Sequence, residues 1–314
     1  MTYRTVDVEV SGGPLRVGIW ESADLAPHDA AERTVLGVHG ITSSHLVWTL
    51  AGQLMVEVPG TRVIAPDLRG RGKSAPLPGP WGMRVHAEDL SVVVDQLGKP
   101  DLTTGHSMGG FVAVVAAHRY PDRFGTLLLV DGGVPLPLPA EEPLEVAMPR
   151  LLGPTATRLA MRFPDHEAHR RWWRAHPAFV GGWSLNLDAY VDYDLVHIDD
   201  GPGIAGQWRS ASRLDAVRQD FAEQGTDGAV QTAWNVLATR PGNRVRFLRA
   251  PLGLQAEPPG LYPIEALDRF AVAYPRFHWT EVPDTNHYSV LLGDRGTNLV
   301  TATMADLMDS SSNR

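Results

Sequence analysis

The segment LTTGHSMGG at residues 102–110 decides how the rest of the chain is interpreted. An extended, threonine-rich run leads into Gly105-His106-Ser107-Met108-Gly109, and the apolar run FVAVVAA at 111–117 continues at helical length. A strand, a sharp turn and a helix in this order hold the serine above the end of a sheet, and the flanking glycines let neighbouring backbone pass close by. Such a short pattern also arises by chance, but the strand and helix around this one favour Ser107 as a nucleophile.

The composition predicts a globular, acidic protein. Hydrophobic residues make up 43% of the 314 residues, enough for a sizeable core, and the formal net charge of -8 argues against nucleic acid as a partner. The lack of cysteine excludes disulfides, thiolate catalysis and cysteine-based zinc sites. Residues 1–10 lack the basic start and apolar stretch of a signal peptide, and no apolar run approaches the ~18 residues that span a bilayer. We therefore expect a cytoplasmic protein without a membrane span.

Short apolar runs alternate with helical patterns along most of the chain. The runs at 6–10 and 15–20 alternate polar and apolar residues around a glycine-rich turn, which is typical of an antiparallel hairpin at the edge of a sheet. Further candidate strands lie at 33–38, 62–66, 125–130, 245–248 and 277–282, with amphipathic or apolar helices between them. Strands that alternate with helices predict an α/β fold with a doubly wound, mostly parallel sheet.

This alternation stops between residues 135 and 240. The segment, called the insertion below, opens with prolines and contains mixed-polarity helical patterns without short apolar strands. It also carries five of the nine tryptophans: Trp172, Trp173, Trp183, Trp208 and Trp234. We predict a core formed by 1–134 and 241–314, and a helical cap formed by 135–240 that lies over the strand ends.

A serine hydroxyl is a poor nucleophile at neutral pH, so the chain must also supply a base, an acid that orients the base, and donors for an oxyanion. The backbone N–H of Met108, at the start of the helix after Ser107, is one candidate donor. Gly40 follows an earlier strand and lets the N–H of Ile41 face the same point, which gives a second donor. The base should follow the last strand, where His287 lies.

Together these segments resemble the α/β-hydrolase superfamily. The resemblance rests on His39-Gly40, DLRGRGKS at 67–74, GHSMGG at 105–110, YPDRF at 120–124 and His287, which occur in the family's order. It covers nearly all of the chain outside the insertion. It implies an eight-stranded, mostly parallel sheet, a helical cap after the sixth strand and hydrolysis through an acyl-serine intermediate, without implying a substrate.

The acid departs from the commonest pattern of that family, in which an Asp follows the seventh strand. Here that loop offers only Glu257, whereas Asp131 directly follows the sixth strand, an alternative position known for the family. We favour Asp131, because the buried strand before it would hold the carboxylate rigidly enough to orient an imidazole. Glu257 remains the alternative. Asp284 is a weaker third candidate, because it lies only three residues before His287.

The aromatic, weakly charged insertion favours a neutral, hydrophobic ester or lactone as substrate, in a pocket to which Gly40, His106 and Trp183 contribute. Cleavage of carbon–carbon bonds, peracid formation and amide hydrolysis use the same three residues, and a non-catalytic small-molecule binder on this fold is a further alternative.

No cofactor or metal is predicted. The run GKS at 72–74 lacks the glycine that a phosphate-binding loop needs at position 67. The run GPGIAG at 201–206 matches a dinucleotide-binding pattern but follows no buried strand. The acidic segment 192–200 is typical of a solvated face rather than a metal site.

Overall fold

Eight strands form one sheet in the order β1-β2-β4-β3-β5-β6-β9-β10. The computed structural model describes residues 1–25, 30–136, 143–199, 206–226, 228–240 and 244–312. The strands of this sheet are β1 (Thr2–Val10), β2 (Gly13–Glu21), β3 (Arg33–Val38), β4 (Thr61–Pro66), β5 (Leu102–His106), β6 (Thr126–Val130), β9 (Arg244–Arg249) and β10 (Phe277–Glu281). β1 pairs with β2, and β2 with β4, in antiparallel fashion, whereas the other pairs are parallel. The predicted α/β fold with an eight-stranded, mostly parallel sheet is therefore confirmed.

Helices cover both faces of the sheet. They are α1 (Thr49–Met55), α2 (Met83–Leu97), α3 (Met108–Arg119), α4 (Leu144–Leu152), α5 (Pro154–Arg158), α6 (His166–Arg174), α7 (Leu185–Tyr193), α8 (Leu214–Thr226), α9 (Gly228–Thr239), α10 (Ile264–Ala273), α11 (Ser289–Leu292) and α12 (Asp294–Ser312). α2, α3 and α9 pack together in one layer and α1, α11 and α12 in another, and β5 and β6 contact both α3 and α12. Because helices cover the central strands on both sides, every residue of β5 is buried. For the same reason the sequences of β5 and β6 contain only apolar or uncharged residues.

The insertion is mainly helical but contains one small sheet that the sequence did not indicate. β7 (Leu195–Ile198) and β8 (Gln207–Ser210) pair antiparallel beside helices α4 to α8. Neither run is apolar throughout, so no periodic pattern identified them as strands. The proline-rich opening at 137–142 and most of the glycine-rich run at 201–206 lie outside the described residues.

The division into core and cap at residues 135 and 240 stays a prediction. Helix α9 lies within the predicted cap, yet it packs against α3 of the core. Its Trp234 is 1% exposed, donates from Nε1 to the carbonyl of Gly133 at 2.8 Å and packs against Phe270 and Phe277. This packing favours a cap that ends before α9. Among the described residues, no helix is long and apolar enough to cross a membrane.

Candidate active site

Ser107 lies at the sharp turn between β5 and α3. Its φ of 54° and ψ of -124° place a non-glycine residue in a region that costs strain, which the surrounding structure must offset. The Ser107 N–H donates to the carbonyl of Val130 in the neighbouring strand at 3.0 Å. Gly109 lets the start of α3 approach the end of β3, because a Cβ there would lie 2.1 Å from the carbonyl oxygen of Val38. The turn thus holds the hydroxyl at the carboxyl ends of the central strands.

His287 and Asp131 form a buried hydrogen-bonded pair beside that turn. The Nδ1 of His287 lies 2.7 Å from Oδ2 of Asp131, and the two side chains are 4% and 0% exposed. The second carboxylate oxygen of Asp131 accepts from the backbone N–H of Ala250 at 3.1 Å. Because Asp131 follows β6 and Ala250 follows β9, two adjacent strands fix the carboxylate. A neutral imidazole held in this way donates from Nδ1 and leaves Nε2 as its acceptor.

The two other carboxylates weighed from the sequence lie elsewhere. Glu257 is exposed, and its Oε2 accepts from the backbone N–H of Gln255 at 2.7 Å. Asp284 is 71% exposed on its side chain and pairs with Arg295. Of the three candidates, the described hydrogen bonds bring only Asp131 to His287.

The loop after β3 (residues 39–44, the β3 loop) passes close to Ser107, because a Cβ at Gly40 would lie 3.5 Å from the Ser107 hydroxyl oxygen. His39 accepts at Nε2 from the N–H of Leu68 at 2.8 Å and contacts the carbonyl of Gly40 through Nδ1 at 2.7 Å. Burial lowers the pKa of His39 to about 3, so the ring is neutral and donates from Nδ1. The carbonyl of Gly40 and the N–H of Ile41 belong to one trans peptide and point in opposite directions. His39 therefore fixes the direction of this candidate oxyanion donor.

Arg71 bonds to the backbone of the β3 loop. It was not predicted to be functional from the sequence. This fully buried side chain donates from Nε to the carbonyl of Ile41 at 2.8 Å and pairs with Asp220 of α8. His86 approaches the same carboxylate at 3.0 Å. Burial alone would raise the pKa of Asp220, but Arg71 and His86 lower it to about 2. The only signal in the sequence was the position of Arg71 within DLRGRGKS.

His106 supports the loop that carries His287. Its Nε2 lies 2.8 Å from the backbone carbonyl of His287, and the two rings lie 4.7 Å apart. Burial, followed by the proximity of His287, lowers the pKa of His106 well below its usual value. The neutral ring therefore donates from Nε2 to that carbonyl.

Ser107 and His287 line one cavity of about 660 Å³, counted with the part that opens to solvent. Gly40, Ile41 and His106 line it as well. Most of the remaining wall is apolar and includes Leu136, Leu151, Leu152, Phe221, Leu254 and Leu261. The candidate nucleophile and base thus face a mainly hydrophobic space.

Trp183, which was predicted to contribute to the pocket, is not among the residues that line this cavity. Its ring packs against Phe179 at 6.0 Å and lies beneath Arg174, and its Nε1 donates to Asp188 at 2.9 Å. These contacts hold the indole within the insertion. The aromatic composition of the insertion could not distinguish a tryptophan that packs among helices from one that faces the cavity.

Among the described residues, no group of three or more His, Cys, Asp or Glu side chains could hold a metal ion. Carboxylates of the acidic segment around Asp192 form ion pairs with arginine and histidine side chains. Asp192 pairs with Arg170 and His166, and Asp194 pairs with Arg158.

Comparison with known proteins agrees with this geometry. The family model for the alpha/beta hydrolase fold matches residues 33–190. The lipase LipV of Mycobacterium tuberculosis is 31% identical over 171 residues, which are 53% of this chain and 59% of that protein. A putative 2-succinyl-6-hydroxy-2,4-cyclohexadiene-1-carboxylate synthase of Bacillus subtilis is 34% identical over 128 residues, 40% of this chain and 43% of that protein. The matched part therefore spans less than two thirds of either relative.

Solved structures resemble the chain over nearly its whole length. An E-2-(acetamidomethylene)succinate hydrolase superposes with a TM-score of 0.75 at 18% identity and covers 98% of this chain and 100% of its own. The thioesterase domain from the curacin biosynthetic pathway gives a TM-score of 0.70 at 19% identity, with 98% and 99% covered. At these identities the likeness shows the fold alone. With the family model matching half of the sequence, the chain belongs to the α/β-hydrolase family.

Proposed function

We propose that the chain is a serine hydrolase that cleaves a carboxylic ester or lactone through an acyl-serine intermediate. Ser107 attacks the carbonyl carbon, and Nε2 of His287 takes the hydroxyl proton and passes it to the leaving alcohol. Asp131 keeps the imidazole in the required tautomer and stabilises its cation. The N–H groups of Ile41 and Met108 stabilise the oxyanion. Water, activated by the same imidazole, then releases the acid.

The observation that carries this proposal is the buried 2.7 Å contact between His287 and Asp131 beside the strained turn of Ser107. The chain holds other buried His–Asp pairs, such as His45 with Asp67, but Ser107 is the one serine with a positive φ among the described residues, and a serine that only packs needs no positive φ. Strain at a site of this kind supports a functional role, because folding alone would favour relief of the strain.

The cavity supports a hydrophobic group next to the reacting bond. Among the described residues, its wall is built mainly from leucine side chains and Phe221, and its ionisable side chains are His106, His287, Tyr190 and Tyr288. Apolar surface of this kind stabilises aliphatic or aromatic groups by about 25 cal/mol per Å² removed from water.

The test is labelling with a fluorophosphonate, which reacts with an activated serine by displacement of fluoride. We expect one adduct, located on Ser107 by mass spectrometry, and no adduct in Ser107→Ala. Ser310→Ala is the matched control, because Ser310 is exposed on α12 and does not line the cavity, so labelling should stay intact. Labelling that proceeds equally fast in His287→Ala would contradict the proposal, since the base would then play no part.

A further inference from the structure

Arg158, the last residue of α5 in the insertion, is a fully buried arginine with few partners. It is 0% exposed, and its Nη1 pairs with Asp194. The guanidinium carbon lies 5.0 Å from the centre of the Trp173 ring, which restricts its position. Among the described residues, neither Nε nor Nη2 of Arg158 has a hydrogen-bond partner. Leaving buried donors without a partner destabilises the folded state, so such groups call for an explanation.

The two unpartnered atoms form one edge of the guanidinium. The N–H groups of Nε and Nη2 point the same way, at the spacing of the two oxygens of a carboxylate. The same edge holds a carboxylate elsewhere in this chain. Arg69 binds Asp89 through Nε at 2.9 Å and Nη2 at 2.8 Å, and Arg16 binds Asp7 through Nε at 2.6 Å and Nη2 at 3.1 Å. Arg158 therefore presents the donor geometry that this protein uses for carboxylates.

Arg158 borders a small cavity next to the one that contains Ser107. The small cavity measures about 210 Å³, counted with its open part, and its wall includes Ser44, Arg158 and Trp173. Thr42, Ser43 and Tyr190 line both cavities, so these side chains separate them and must move for a ligand in the larger cavity to reach Arg158.

The polar groups of the small cavity suit an anion. The buried hydroxyl of Ser44 has no partner among the described residues, and the hydroxyls of Ser43 and Tyr190 share a hydrogen bond of 3.0 Å. These hydroxyls add donors to those of Arg158.

Among the described residues of this wall, Asp194 is the only carboxylate, and it is held by other donors besides Arg158. Its Oδ1 accepts from the hydroxyls of Ser210 at 3.0 Å and Ser212 at 3.4 Å. A second carboxylate could therefore bind the opposite edge of Arg158 without displacing Asp194. Multidentate sharing of one guanidinium between two anions is within its capacity of five N–H donors.

We propose that Arg158 is a substrate-binding residue that holds a carboxylate at the end of the substrate remote from the bond attacked by Ser107. This inference rests on the proposed function and names its substrate class: an ester or lactone whose reacting part is apolar and whose far end is a carboxylate. It replaces the neutral substrate expected from composition. The hydrophobic cavity and the buried cation then recognise different ends of one molecule.

The experiment compares two series of phenyl esters. One series contains phenyl monoesters of linear dicarboxylic acids of increasing chain length, and the other contains the same molecules with the remote acid methylated. We expect the wild-type protein to favour the free acid of one chain length by at least about tenfold in kcat/KM, because a charge-assisted pair is stronger than a neutral one. Arg158→Gln should lose about 10- to 100-fold on that substrate and far less on its methyl ester. Arg171→Gln, an exposed arginine on α6, is the matched control.

A binding arm separates this inference from the proposed function. Ser107→Ala is titrated calorimetrically with linear dicarboxylates, with and without the additional change Arg158→Gln. If dicarboxylate binding requires Arg158 but the wild-type protein hydrolyses no ester of either series, the carboxylate site is supported and the hydrolase function is rejected. Hydrolysis with equal rates on acid and methyl ester, and no binding, would overturn the carboxylate site and leave only buried water at Arg158. If Arg158→Gln does not fold, the wild-type preference and the titration of Ser107→Ala decide alone.

Discussion

Two buried arginines flank the β3 loop, one in the core and one in the insertion. They differ in how many of their N–H donors have a hydrogen-bond partner. Arg71 donates to the carbonyls of Ile41 and Arg69, pairs with Asp220 and places Nη2 3.9 Å from the sulfur of Met108. Arg158 has one partner for Nη1 and, among the described residues, none for its other two nitrogens. The first arginine is saturated by the protein, and the second retains donors.

This difference extends to the regions that the arginines belong to. On the core side, strand ends and the β3 loop bond one another, so that the candidate nucleophile, base and oxyanion donors are held before any ligand arrives. On the insertion side, short helices surround a cavity with unpartnered donors. The core side thus has the fixed geometry that catalysis needs, with Asp220 of the insertion completing the pairing of Arg71, and the insertion side retains donors that a complementary ligand could use.

The largest expected effect tests the core side. Asp131→Asn keeps the size of the side chain but no longer fixes the imidazole tautomer, so we expect kcat on an aryl ester to fall by roughly 10³- to 10⁴-fold. Glu257→Gln changes an exposed carboxylate and should alter kcat by less than about threefold. Steady-state kinetics of the two variants side by side makes the measurement.

Equal losses in Asp131→Asn and Glu257→Gln, or a larger loss in the latter, would reverse the assignment of the acid. Thermal unfolding of both variants is the accompanying control. A kcat loss in a protein that unfolds like the wild type reports on the imidazole rather than on folding.

The border between the two regions is tested by stability. Trp234→Ala removes a side chain that is 1% exposed and packed on Phe270 and Phe277, so we expect the free energy of unfolding to fall by about 3–5 kcal/mol. Trp183→Ala removes a partly buried ring from the insertion and should cost less than half as much. Urea denaturation gives both values. Losses of equal size would argue against placing α9 with the core.

The candidate residues of the core half of the site could be named from the sequence because they lie in short segments with fixed backbone geometry. Ser107 is set by a turn that few sequences satisfy, and Asp131 directly follows a buried strand that hydrogen bonds to its neighbours. His287 could be placed because the last strand ends at the same edge of the sheet. Local pattern and three-dimensional position coincide there.

The insertion half could not be predicted in this way. Arg158 meets Asp194 and Trp173 only because α5, α6 and the end of α7 come together, and helix orientation depends on packing that no local period encodes. Arg71 was visible within a quoted motif, but its partner Asp220 lies on a distant helix. Composition marked the insertion as aromatic and could not say which ring faced the cavity.

The smallest expected effect concerns buried histidines, which occur in both regions. Burial lowers the pKa of His39 in the core to about 3 and that of His169 in the insertion to about 3. The unfolded chain binds a proton near pH 6.5, whereas the folded chain stays neutral until about pH 3, so the stability contributed by each ring is lost as the pH falls below 6.5. Each adds a slope of up to about 1.4 kcal/mol per pH unit to the free energy of unfolding.

Replacing either ring by glutamine removes that slope but should affect catalysis differently. We expect His39→Gln and His169→Gln to show a similarly reduced loss of unfolding free energy between pH 7 and pH 5, measured by urea denaturation at each pH. His39→Gln should also lower kcat, because the ring fixes the peptide between Gly40 and Ile41, whereas His169→Gln should change kcat far less. An unchanged pH slope in both variants would mean that these rings are protonated in the folded protein. Equal kcat losses would mean that the insertion is as much a part of the fixed catalytic geometry as the core.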